Sequence, residues 1–360
     1  MPAPLSTSVQ FCTSDGLRIA FAKSGNGPAL VKTSSYLSHI EYDWDSPIWR
    51  PWLGEWSKHN TLIRYDQRAC GLSDWDVDSI SFEGWVNDLE AVVNASYLKR
   101  FAILGMSQGA SIAIAYAVRH PERVSHLVLH GAFARGRLKR NPSQEQLEQA
   151  RIMWKLAELG WGQENSAFRE VFTMQLFPGG TLELHESFNE LQRRCASPMN
   201  AARIMREFDN VDVSELAHRV KCPTLVLHCR HDARIPYEEG RLVASMIPGA
   251  HFVPLESKNH IPLESEPAFH QFIEEMRSFL DAAAELPKHS ESTNFDSLTA
   301  REREVLDQIA RGLNNDEIAK SFGLSEKTVR NHITSIFSKI EVTSRAQAIV
   351  RARDAGFGSP

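Results

Sequence analysis

Cysteine is scarce in this chain, and the few cysteines form no pattern. The 360 residues contain five cysteines, an odd number, and no Cys-x-x-Cys pair. Disulfide frameworks and zinc sites both depend on paired or closely spaced cysteines, so we expect free thiols, no bound metal and a reducing compartment. No motif in the sequence indicates an organic cofactor, and none is expected.

Long hydrophobic runs are also missing. No stretch approaches roughly 18 uninterrupted apolar residues, so no transmembrane helix and no membrane partner are expected. Residues 1–10 have neither a basic start nor an apolar core, which argues against a signal peptide. With 42% hydrophobic and 24% charged residues, the composition is that of a globular protein. We therefore expect it in the cytoplasm.

Neither sign of charge dominates, but the charge is unevenly distributed. The net charge of the whole chain is −5, which does not suggest a nucleic-acid binder. Residues 297–360, however, carry 10 Lys and Arg against 8 Asp and Glu, while the remainder has a net charge of −7. A basic end on an acidic body favours a polyanionic partner there. The length fits one large and one small domain.

Short apolar runs alternate with helical patterns as far as residue 284. Several runs are almost entirely apolar, as expected of strands buried on both faces. This alternation predicts an α/β fold with a mostly parallel sheet and helices on both faces. The predicted strands are 17–22, 29–31, 61–65, 101–104, 124–129, 224–229 and 251–255, and helices are predicted at 82–97, 108–119 and 267–284.

One segment, residues 135–217, interrupts this alternation. It has helical periodicity without strand signals, which indicates a helical lid inserted over a pocket. The alternative is that its large apolar side chains simply form the core of the insertion. These side chains are Met153, Trp154, Trp161, Phe168, Phe172, Met174, Leu176 and Phe177.

A nucleophile motif lies at residues 105–109, where the sequence reads GMSQG. The G-x-S-x-G pattern follows the apolar strand 101–104 and precedes a helical run, so Ser107 falls on a strand–turn–helix. Flanking glycines let neighbouring backbone pass close to a strained serine, and the helix N-terminus supplies N–H groups for an oxyanion. We therefore predict that Ser107 is a catalytic nucleophile.

A serine nucleophile needs a base and an orienting carboxylate, in the chain order Ser, acid, His on this fold. Asp232 follows the strand 224–229, and His260 follows the strand 251–255. Both positions lie just beyond strand ends, so we predict a triad of Ser107, Asp232 and His260. Three other histidines compete for the role of base, namely His228, His231 and His251.

With these residues in view, residues 1–284 resemble the α/β-hydrolase superfamily. The segment 66–73, DQRACGLS, is similar to the D-x-R-G-x-G-x-S segment of that family, with Ala69 where a glycine is usual. The family usually has His-Gly after its third strand, to complete the oxyanion hole. Here the strand runs into KTSSY at 32–36, so the resemblance implies backbone donors at Ser34 or Ser35, paired with Gln108.

The segment 285–296 is polar and reads as a linker, and residues 297–360 form a second unit. Thr299 and Glu302 make a capping box that opens its first helix, and Gly312 ends that helix. A second helix begins near Asn315, and Ser325 caps a third. The third helix carries an apolar stripe opposite a face of cationic, amide and hydroxyl side chains, which is typical of a recognition helix in the DNA major groove.

This unit is similar to the LuxR/NarL-type helix-turn-helix over about 60 residues, in LTAREREVL, GLNNDEIA and SEKTVRNHI. The resemblance implies four helices, the last at 344–355, which often serves for dimer contacts. It also implies that Lys339 and Arg345 face phosphates or the domain edge. The alternative is a helical protein-interaction module. The residues predicted to face DNA bases are Lys327, Thr328, Arg330 and Asn331, with Thr334 on the same face.

Three functions are open on these grounds. The first is a ligand-responsive transcription regulator that binds double-stranded DNA as a homodimer and holds a small apolar ester or lactone in the hydrolase-like domain. The second is an active serine esterase or lactonase that uses DNA binding for targeting or feedback. The third is a constitutive DNA-binding protein whose large domain only drives dimerisation.

Overall fold

The molecule is built around one eight-stranded sheet. In a computed structural model, the structure describes residues 8–35, 37–284, 294–340, 342 and 344–358. The strands are β1 (Val9–Ser14), β2 (Leu17–Ser24), β3 (Ala29–Lys32), β4 (Thr61–Tyr65), β5 (Phe101–Met106), β6 (Val124–His130), β7 (Thr224–Cys229) and β8 (His251–Leu255). Their order is β1-β2-β4-β3-β5-β6-β7-β8. β2 is antiparallel to β1 and β4, and all other neighbours are parallel. The predicted α/β fold with a mostly parallel sheet is confirmed.

Burial explains which strands the sequence pattern indicated. Every residue of β5 and β7 is buried, because helices cover both faces of the parallel part of the sheet. β1 was not predicted. It lies at the edge of the sheet, and its sequence VQFCTS mixes polar and apolar residues, of which Phe11 is 49% exposed. An edge strand that is half exposed gives no continuous apolar run.

Helices flank the sheet and fill the connections between strands. No helix in the described part of the chain is both long and apolar enough to span a membrane. Up to the end of the first domain the helices are α1 (Tyr42–Asp45), α2 (Trp49–His59), α3 (Phe82–Ala95), α4 (Gln108–Arg119), α5 (Gln144–Gly160), α6 (Ala167–Leu176), α7 (Leu182–Cys195), α8 (Pro198–Asn210), α9 (Ser214–Ala217), α10 (Tyr237–Met246) and α11 (Pro267–Ala284).

The insertion between β6 and β7 is helical and consists of α5 to α9, preceded by a 3-10 turn at Arg137–Lys139. Half of its eight large apolar side chains are buried in the main hydrophobic core of the first domain. Four of them, Trp161, Phe172, Leu176 and Phe177, are at most 5% exposed. Met174 is instead 47% exposed on the outer surface.

The C-terminal unit has its own hydrophobic core. Its helices are α12 (Ala300–Ala310), α13 (Asn315–Phe322), α14 (Glu326–Lys339) and α15 (Arg345–Asp354). The predicted capping box is present, since Thr299 Oγ1 accepts from Glu302 N and the Glu302 carboxylate accepts from Thr299 N. Each such reciprocal cap satisfies two N–H groups that a helix start leaves unpaired. Residues close in sequence therefore determine where the helices of this unit begin.

The two cores meet where α15 packs against α11. The Arg353 guanidinium donates to the carbonyls of Pro248 and Ala310, and so bridges the loop before β8 and the end of α12. Gly249 lies in this contact with φ +65°, and a Cβ there would be 2.2 Å from the Ala310 carbonyl oxygen. The close approach of the two backbones therefore requires glycine. Val350 of α15 is 2% exposed.

Candidate active site and DNA-binding unit

Ser107 lies on a strained turn between β5 and α4. Its φ of +52° and ψ of −122° are rare for any residue other than glycine. The flanking glycines leave room for this turn, because a Cβ at Gly109 would be 2.3 Å from Thr33 Oγ1 and one at Gly105 would be 2.7 Å from Ala110 Cα. Ser107 N donates to His130 O at 2.8 Å, and the residue is partly exposed. This is the geometry that presents a serine Oγ above the sheet.

Asp232 and His260 come together at the carboxyl edge of the sheet. His260 Nδ1 and Asp232 Oδ2 are 2.6 Å apart, and both side chains are almost fully buried. The other carboxylate oxygen accepts the backbone N–H groups of Arg234 at 2.8 Å and Ile235 at 2.9 Å. Burial acts to raise the pKa of Asp232, but the neighbouring His260 outweighs it and the pKa lies below its usual value. Asp232 is therefore held as an anion.

The second ring nitrogen of His260 is unoccupied. His260 Nε2 is buried and has no hydrogen-bond partner among the described residues, so it makes no hydrogen bond to Ser107 Oγ here. Catalytic hydrogen bonds are often long before substrate binds. Because Asp232 holds Nδ1, the Nε2 atom is the one left to exchange a proton with another group.

The three competing histidines lie in different surroundings. His228 is buried within β7, where its Nε2 is 3.1 Å from Ile235 O and 3.5 Å from Asp232 Oδ2, and burial lowers its pKa. His231 is exposed beside Glu256. His251 begins β8, at the opposite end of that strand from the loop that carries His260. The shortest histidine contact with Asp232 is that of His260.

Sequence reasoning missed the residues that hold the His260 loop. Glu266 accepts from Ser257 Oγ at 2.6 Å, from Asn259 Nδ2 at 2.8 Å and from Leu263 N at 2.6 Å. The backbone of His260 is fixed too, since its N–H donates to Leu176 O at 2.8 Å. The position of Asn259 next to His260 offered the one signal, because Glu266 is one of many glutamates and Leu176 is distant in sequence.

The His130 ring supports the same loop from β6. His130 Nε2 is 2.8 Å from the carbonyl oxygen of His260, and burial lowers the pKa of His130 to about 3. The neutral ring therefore donates to that carbonyl from Nε2. A link thus runs from the backbone of Ser107, through His130, to the backbone of His260.

The loop after β3, where the oxyanion donors are predicted, is fastened to the nucleophile turn. Thr33 N donates to Leu104 O at 3.0 Å, and Thr33 Oγ1 donates to Gly109 O at 2.9 Å. Ser34 Oγ accepts from Gln67 N at 3.1 Å. Gln108 is the first residue of α4, so its N–H has no acceptor within the helix. These contacts bring Ser34 next to the start of α4, where a Cβ on Gly109 would be 2.9 Å from the Ser34 carbonyl oxygen.

A buried group of charges lies beneath this loop. Lys32 and Arg64 are register neighbours in β3 and β4, and Arg64 pairs with Asp43 at 3.0 Å. Burial lowers the pKa of Lys32 to about 8 and raises that of Asp43 to about 6. The Lys32 Nζ lies 5.1 Å from the centre of the Trp49 ring, a cation–π contact.

The segment 66–73 forms a tight loop behind the nucleophile. The Asp66 carboxylate accepts from Ile40 N at 3.2 Å and from Leu72 N at 2.9 Å. Arg68 is held by Asp88, with Nη2 and Oδ1 separated by 2.7 Å. Ala69, at the position where a glycine is usual, has φ +67°. The loop therefore keeps the backbone shape of a glycine at Ala69.

In the C-terminal unit, α13 and α14 are joined by a turn at Gly323, which has φ +64°. The apolar stripe of α14 is buried through Val329, Ile333 and Ile336. Its opposite face is polar. Of the side chains predicted there to meet DNA, Thr328 is half-buried, and those that are exposed are Lys327, Arg330, Asn331 and Thr334.

Lys339 and Arg345 are engaged within the unit. Lys339 Nζ is 2.7 Å from the Glu302 carboxylate, which also accepts from Ser335 Oγ. Burial acts to raise the pKa of Glu302, but these partners outweigh it and hold it at about 2. Arg345 donates to Asn315 Oδ1 at 3.0 Å and to the Leu313 carbonyl. In this conformation both cations brace helices.

A cavity of about 390 Å³ lies between the helical insertion and the loops that follow β6 and β7. Ser107 and His260 are not among the residues that line it, although Arg234 and Ile235 adjoin Asp232. The lining residues are Phe133, Gly136, Arg137, Arg140, Gln149, Ile152, Met153, Gln175, Phe208, Asp209, Arg234 and Ile235.

Comparison with known proteins assigns both parts of the chain. The family model for the alpha/beta hydrolase fold matches residues 45–267, and the model for bacterial regulatory proteins of the luxR family matches residues 296–352. Pyrrolizixenacetamide deacetylase from Xenorhabdus hominickii is 26% identical over 266 residues, which cover 73% of this chain and 94% of that protein.

Solved structures and regulators divide between the two parts. The enol-lactonase from Burkholderia xenovorans LB400 has a TM-score of 0.63 at 21% identity, and covers 76% of this chain and 100% of its own. Esterase RhEst1 from Rhodococcus sp. ECU1013 has the same TM-score at 24% identity, with 76% and 98% covered. The transcriptional regulatory protein DesR from Bacillus subtilis is 45% identical over 60 residues, 17% of this chain and 30% of that protein.

Proposed function

The chain belongs to the alpha/beta hydrolase fold family and carries a C-terminal LuxR-family DNA-binding domain, and from that premise we propose that it is a ligand-responsive transcription regulator. The hydrolase-type domain captures a small molecule, and its occupancy alters how the DNA-binding unit is held. The unit then binds double-stranded DNA as a homodimer through α14.

The observation that carries this proposal is the contact between the two units. Residues 248–250 meet Arg353 and the end of α12, and they lead directly into β8. The loop after the other end of β8 carries His260, next to Asp232. A ligand that shifts the His260 loop acts on a strand whose far end supports the DNA-binding unit. The DNA-binding unit is either docked on the hydrolase-type domain or released from it. Such a ligand changes DNA affinity only if its own affinity differs between these two forms.

The test uses a fluorophosphonate, which reacts with activated serines. Wild type and Ser107→Ala are treated with the reagent, and labelling is followed by mass. DNA affinity is then measured on a duplex selected from random sequences, before and after labelling. We expect one label per wild-type chain, none on the variant, and a change in DNA affinity on labelling. Labelling that leaves DNA affinity unchanged, together with no effect from any other ligand, supports a constitutive DNA-binding protein instead.

A second function, ester or lactone hydrolysis, is favoured by the strained turn at Ser107 and the 2.6 Å contact between His260 and Asp232. In this reaction Ser107 Oγ attacks the carbonyl carbon, and its proton passes to His260 Nε2. The Asp232 carboxylate stabilises the imidazolium. The leaving alcohol takes that proton, and water then releases the acyl group by the same route.

The oxyanion donors decide how fast such an enzyme is. We assign them to the backbone N–H groups of Gln108 and of Ser34 or Ser35. A missing donor costs roughly 10²–10³ in rate, so a poorly aligned loop after β3 makes a slow hydrolase that still holds its ligand. Turnover of p-nitrophenyl butyrate and of a γ-lactone by wild type, absent in Ser107→Ala, supports hydrolysis. No turnover by a protein that still labels at Ser107 argues for a receptor.

A further inference from the structure

The cavity beneath the helical insertion has an unusual lining for a site expected to take an apolar ester. Three guanidinium groups, those of Arg137, Arg140 and Arg234, line it together with a single carboxylate, Asp209. The rest of the lining is apolar or amide. The apolar side chains are Phe133, Ile152, Met153, Phe208 and Ile235, and the amides are Gln149 and Gln175.

The acids around the cavity do not balance the charge of the arginines. Asp209 is taken by Arg137, whose Nη2 lies 2.6 Å from Oδ2, and by the Trp154 indole N–H at 2.8 Å. Glu239, behind the cavity wall, pairs with Arg135 at 2.9 Å and is 3.7 Å from Arg140 Nε. Glu239 is thus shared by Arg135 and Arg140, and Asp209 pairs with Arg137. Four arginines against these two acids leave an excess of two positive charges.

Arg234 has the most available donors. Its Nη1 donates to Gln175 Oε1 at 2.7 Å, and it has no carboxylate partner among the described residues. Its guanidinium lies 5.6 Å from the centre of the Phe208 ring, which holds it at the cavity wall. Arg140 is placed similarly beside Phe133, also at 5.6 Å, and burial together with the charges of Arg135 and Arg234 lowers its pKa.

We propose that this cavity binds a small organic anion, a carboxylate or phosphate monoester with an apolar body. The anionic head lies between Arg140 and Arg234, where two planar guanidinium groups suit a two-oxygen acceptor. The apolar body packs on Phe133, Phe208 and Met153. A volume of about 390 Å³ is within the range of small-molecule sites. The inference deepens the proposed function and rests on it, since it names the class of ligand to which the regulator responds.

The position of the site relative to the catalytic residues gives it a means of action. Arg234 N donates to Asp232 Oδ1, and Gln175, the partner of Arg234, precedes Leu176, whose carbonyl accepts His260 N. An anion that draws Arg234 away from Gln175 therefore acts on both anchors of the Asp232 and His260 pair. It does so without contacting Ser107.

The test compares acids with their neutral amides. Phenylacetate, 4-phenylbutyrate and decanoate, with decyl phosphate as the phosphate arm, are titrated calorimetrically into the full-length protein. Each carboxylate is compared with its own primary amide. We expect the acids to bind about tenfold or more tightly than the amides. Tighter binding of decyl phosphate than of decanoate assigns the site to phosphate monoesters, and the reverse assigns it to carboxylates.

Variants show which side chain causes the preference for acids over amides. Arg234→Gln should abolish this preference, and Arg234→Lys should retain part of it, since the charge remains. Arg151→Gln is the matched control, because Arg151 lies on α5 near the lining residue Gln149 but is 66% exposed and faces away. Its preference should equal that of wild type. Thermal unfolding shows that each variant is folded before it is titrated.

The proposal is overturned by equal binding of acid and amide, by no binding at millimolar concentration, or by an unchanged preference in Arg234→Gln. DNA affinity separates this failure from that of the proposed function. Acids that bind through Arg234, when neither they nor labelling of Ser107 changes DNA affinity, refute the regulator and keep the site. A change in DNA affinity on labelling of Ser107, with no preference for acids over amides, refutes the anion site and supports the regulator.

Discussion

Single residues near the site depart from ordinary backbone or solvation preferences, and Ala69 is the clearest backbone case. It is fully buried, has φ +67°, and its N–H donates to Asp74 O at 2.8 Å, so the loop holds it in this conformation. A residue with a Cβ costs roughly 1–2 kcal/mol in the left-handed region, which glycine avoids. The departure from the family pattern at this position is therefore a local loss of stability.

Ala69→Gly should stabilise the protein. Relief of the left-handed strain outweighs the greater chain entropy of glycine, leaving a net gain of roughly 0.5–1 kcal/mol in the free energy of unfolding. Urea unfolding followed by tryptophan fluorescence measures it. The control is Ala115→Gly within α4, where φ is helical and glycine should destabilise. A loss of stability in Ala69→Gly contradicts the argument.

Lys32 should make stability depend on pH above neutrality. Burial lowers its pKa in the folded chain from 10.5 to about 8. Below that pH both states hold the proton, and above it only the unfolded chain does. The free energy of unfolding therefore rises with pH from about 8 upward, by at most about 1.4 kcal/mol per pH unit.

The check is the difference between wild type and Lys32→Met in urea unfolding at pH 7, 8 and 9. Groups that titrate in both proteins cancel, so the rise above pH 8 should be smaller in the variant. Lys155→Met, at a side chain 63% exposed, should keep the wild-type slope. Parallel slopes for wild type and Lys32→Met exclude the proposed role of burial.

Among the elements, α14 bears most directly on function. Its exposed face carries Lys327, Arg330 and Asn331 while Lys339 turns back to Glu302. We expect Arg330→Ala to weaken binding to the selected duplex by about 1–3 kcal/mol, because an arginine predicted to contact a base edge is lost. Fluorescence anisotropy at fixed salt measures the change.

Two comparisons make that measurement specific. Arg151→Ala removes the same charge from the outside of α5 and should leave DNA affinity unchanged. The loss of affinity caused by Arg330→Ala should be smaller for a random duplex than for the selected one. Equal affinity of wild type and Arg330→Ala for the selected duplex means that α14 is not the recognition helix.

Elements whose burial follows a simple period were predictable from sequence, and others were not. The all-buried strands β5 and β7, and the capped helix at Thr299, have strong local signals. Edge strand β1 lacks such a signal because one face meets water. The insertion was predictable as helical, but the sequence did not indicate the arginine-rich cavity beneath it. Its lining comes from three α-helices, a 3-10 turn and two loops, which only tertiary packing brings together.

The site divides in the same way. Ser107, Asp232 and His260 follow from strand ends, since parallel strands bring their carboxyl ends to one edge. The 2.6 Å contact from His260 rather than His228 to Asp232 depends on loop geometry that no spacing encodes. Pairing of Lys339 with Glu302 was equally hidden, because the partners are 37 positions apart.

At the scale of the whole molecule, the docking of the two units determines which surfaces are free. α15 is covered on one side by its own unit and on another by α11, and Val350 is buried. A dimer that uses α15 therefore requires release from α11. In the function proposed above, the docked monomer and the released dimer are the two states whose balance the ligand shifts.

Gly249→Ala should shift that balance toward release. The new Cβ meets the Ala310 carbonyl at 2.2 Å, and φ is +65°. Gly16→Ala is the matched control, since its φ is +82° but nothing lies within 4 Å. Amide hydrogen exchange should increase in α15 for Gly249→Ala alone, and sedimentation should show more dimer. Equal exchange in the two variants contradicts a docked α15.

The Pro248 to Ala250 contact lies before β8, at the amino end of the parallel strands, whereas Ser107, Asp232 and His260 gather at the carboxyl end. In the regulator proposed above, the site that receives the ligand and the unit that binds DNA thus lie at opposite ends of one sheet. Under that proposal, mutations that reshape the helical insertion for a new compound leave α14 unchanged. Such an arrangement lets selection, or an engineer building biosensors, change what is detected while the promoter that responds stays the same.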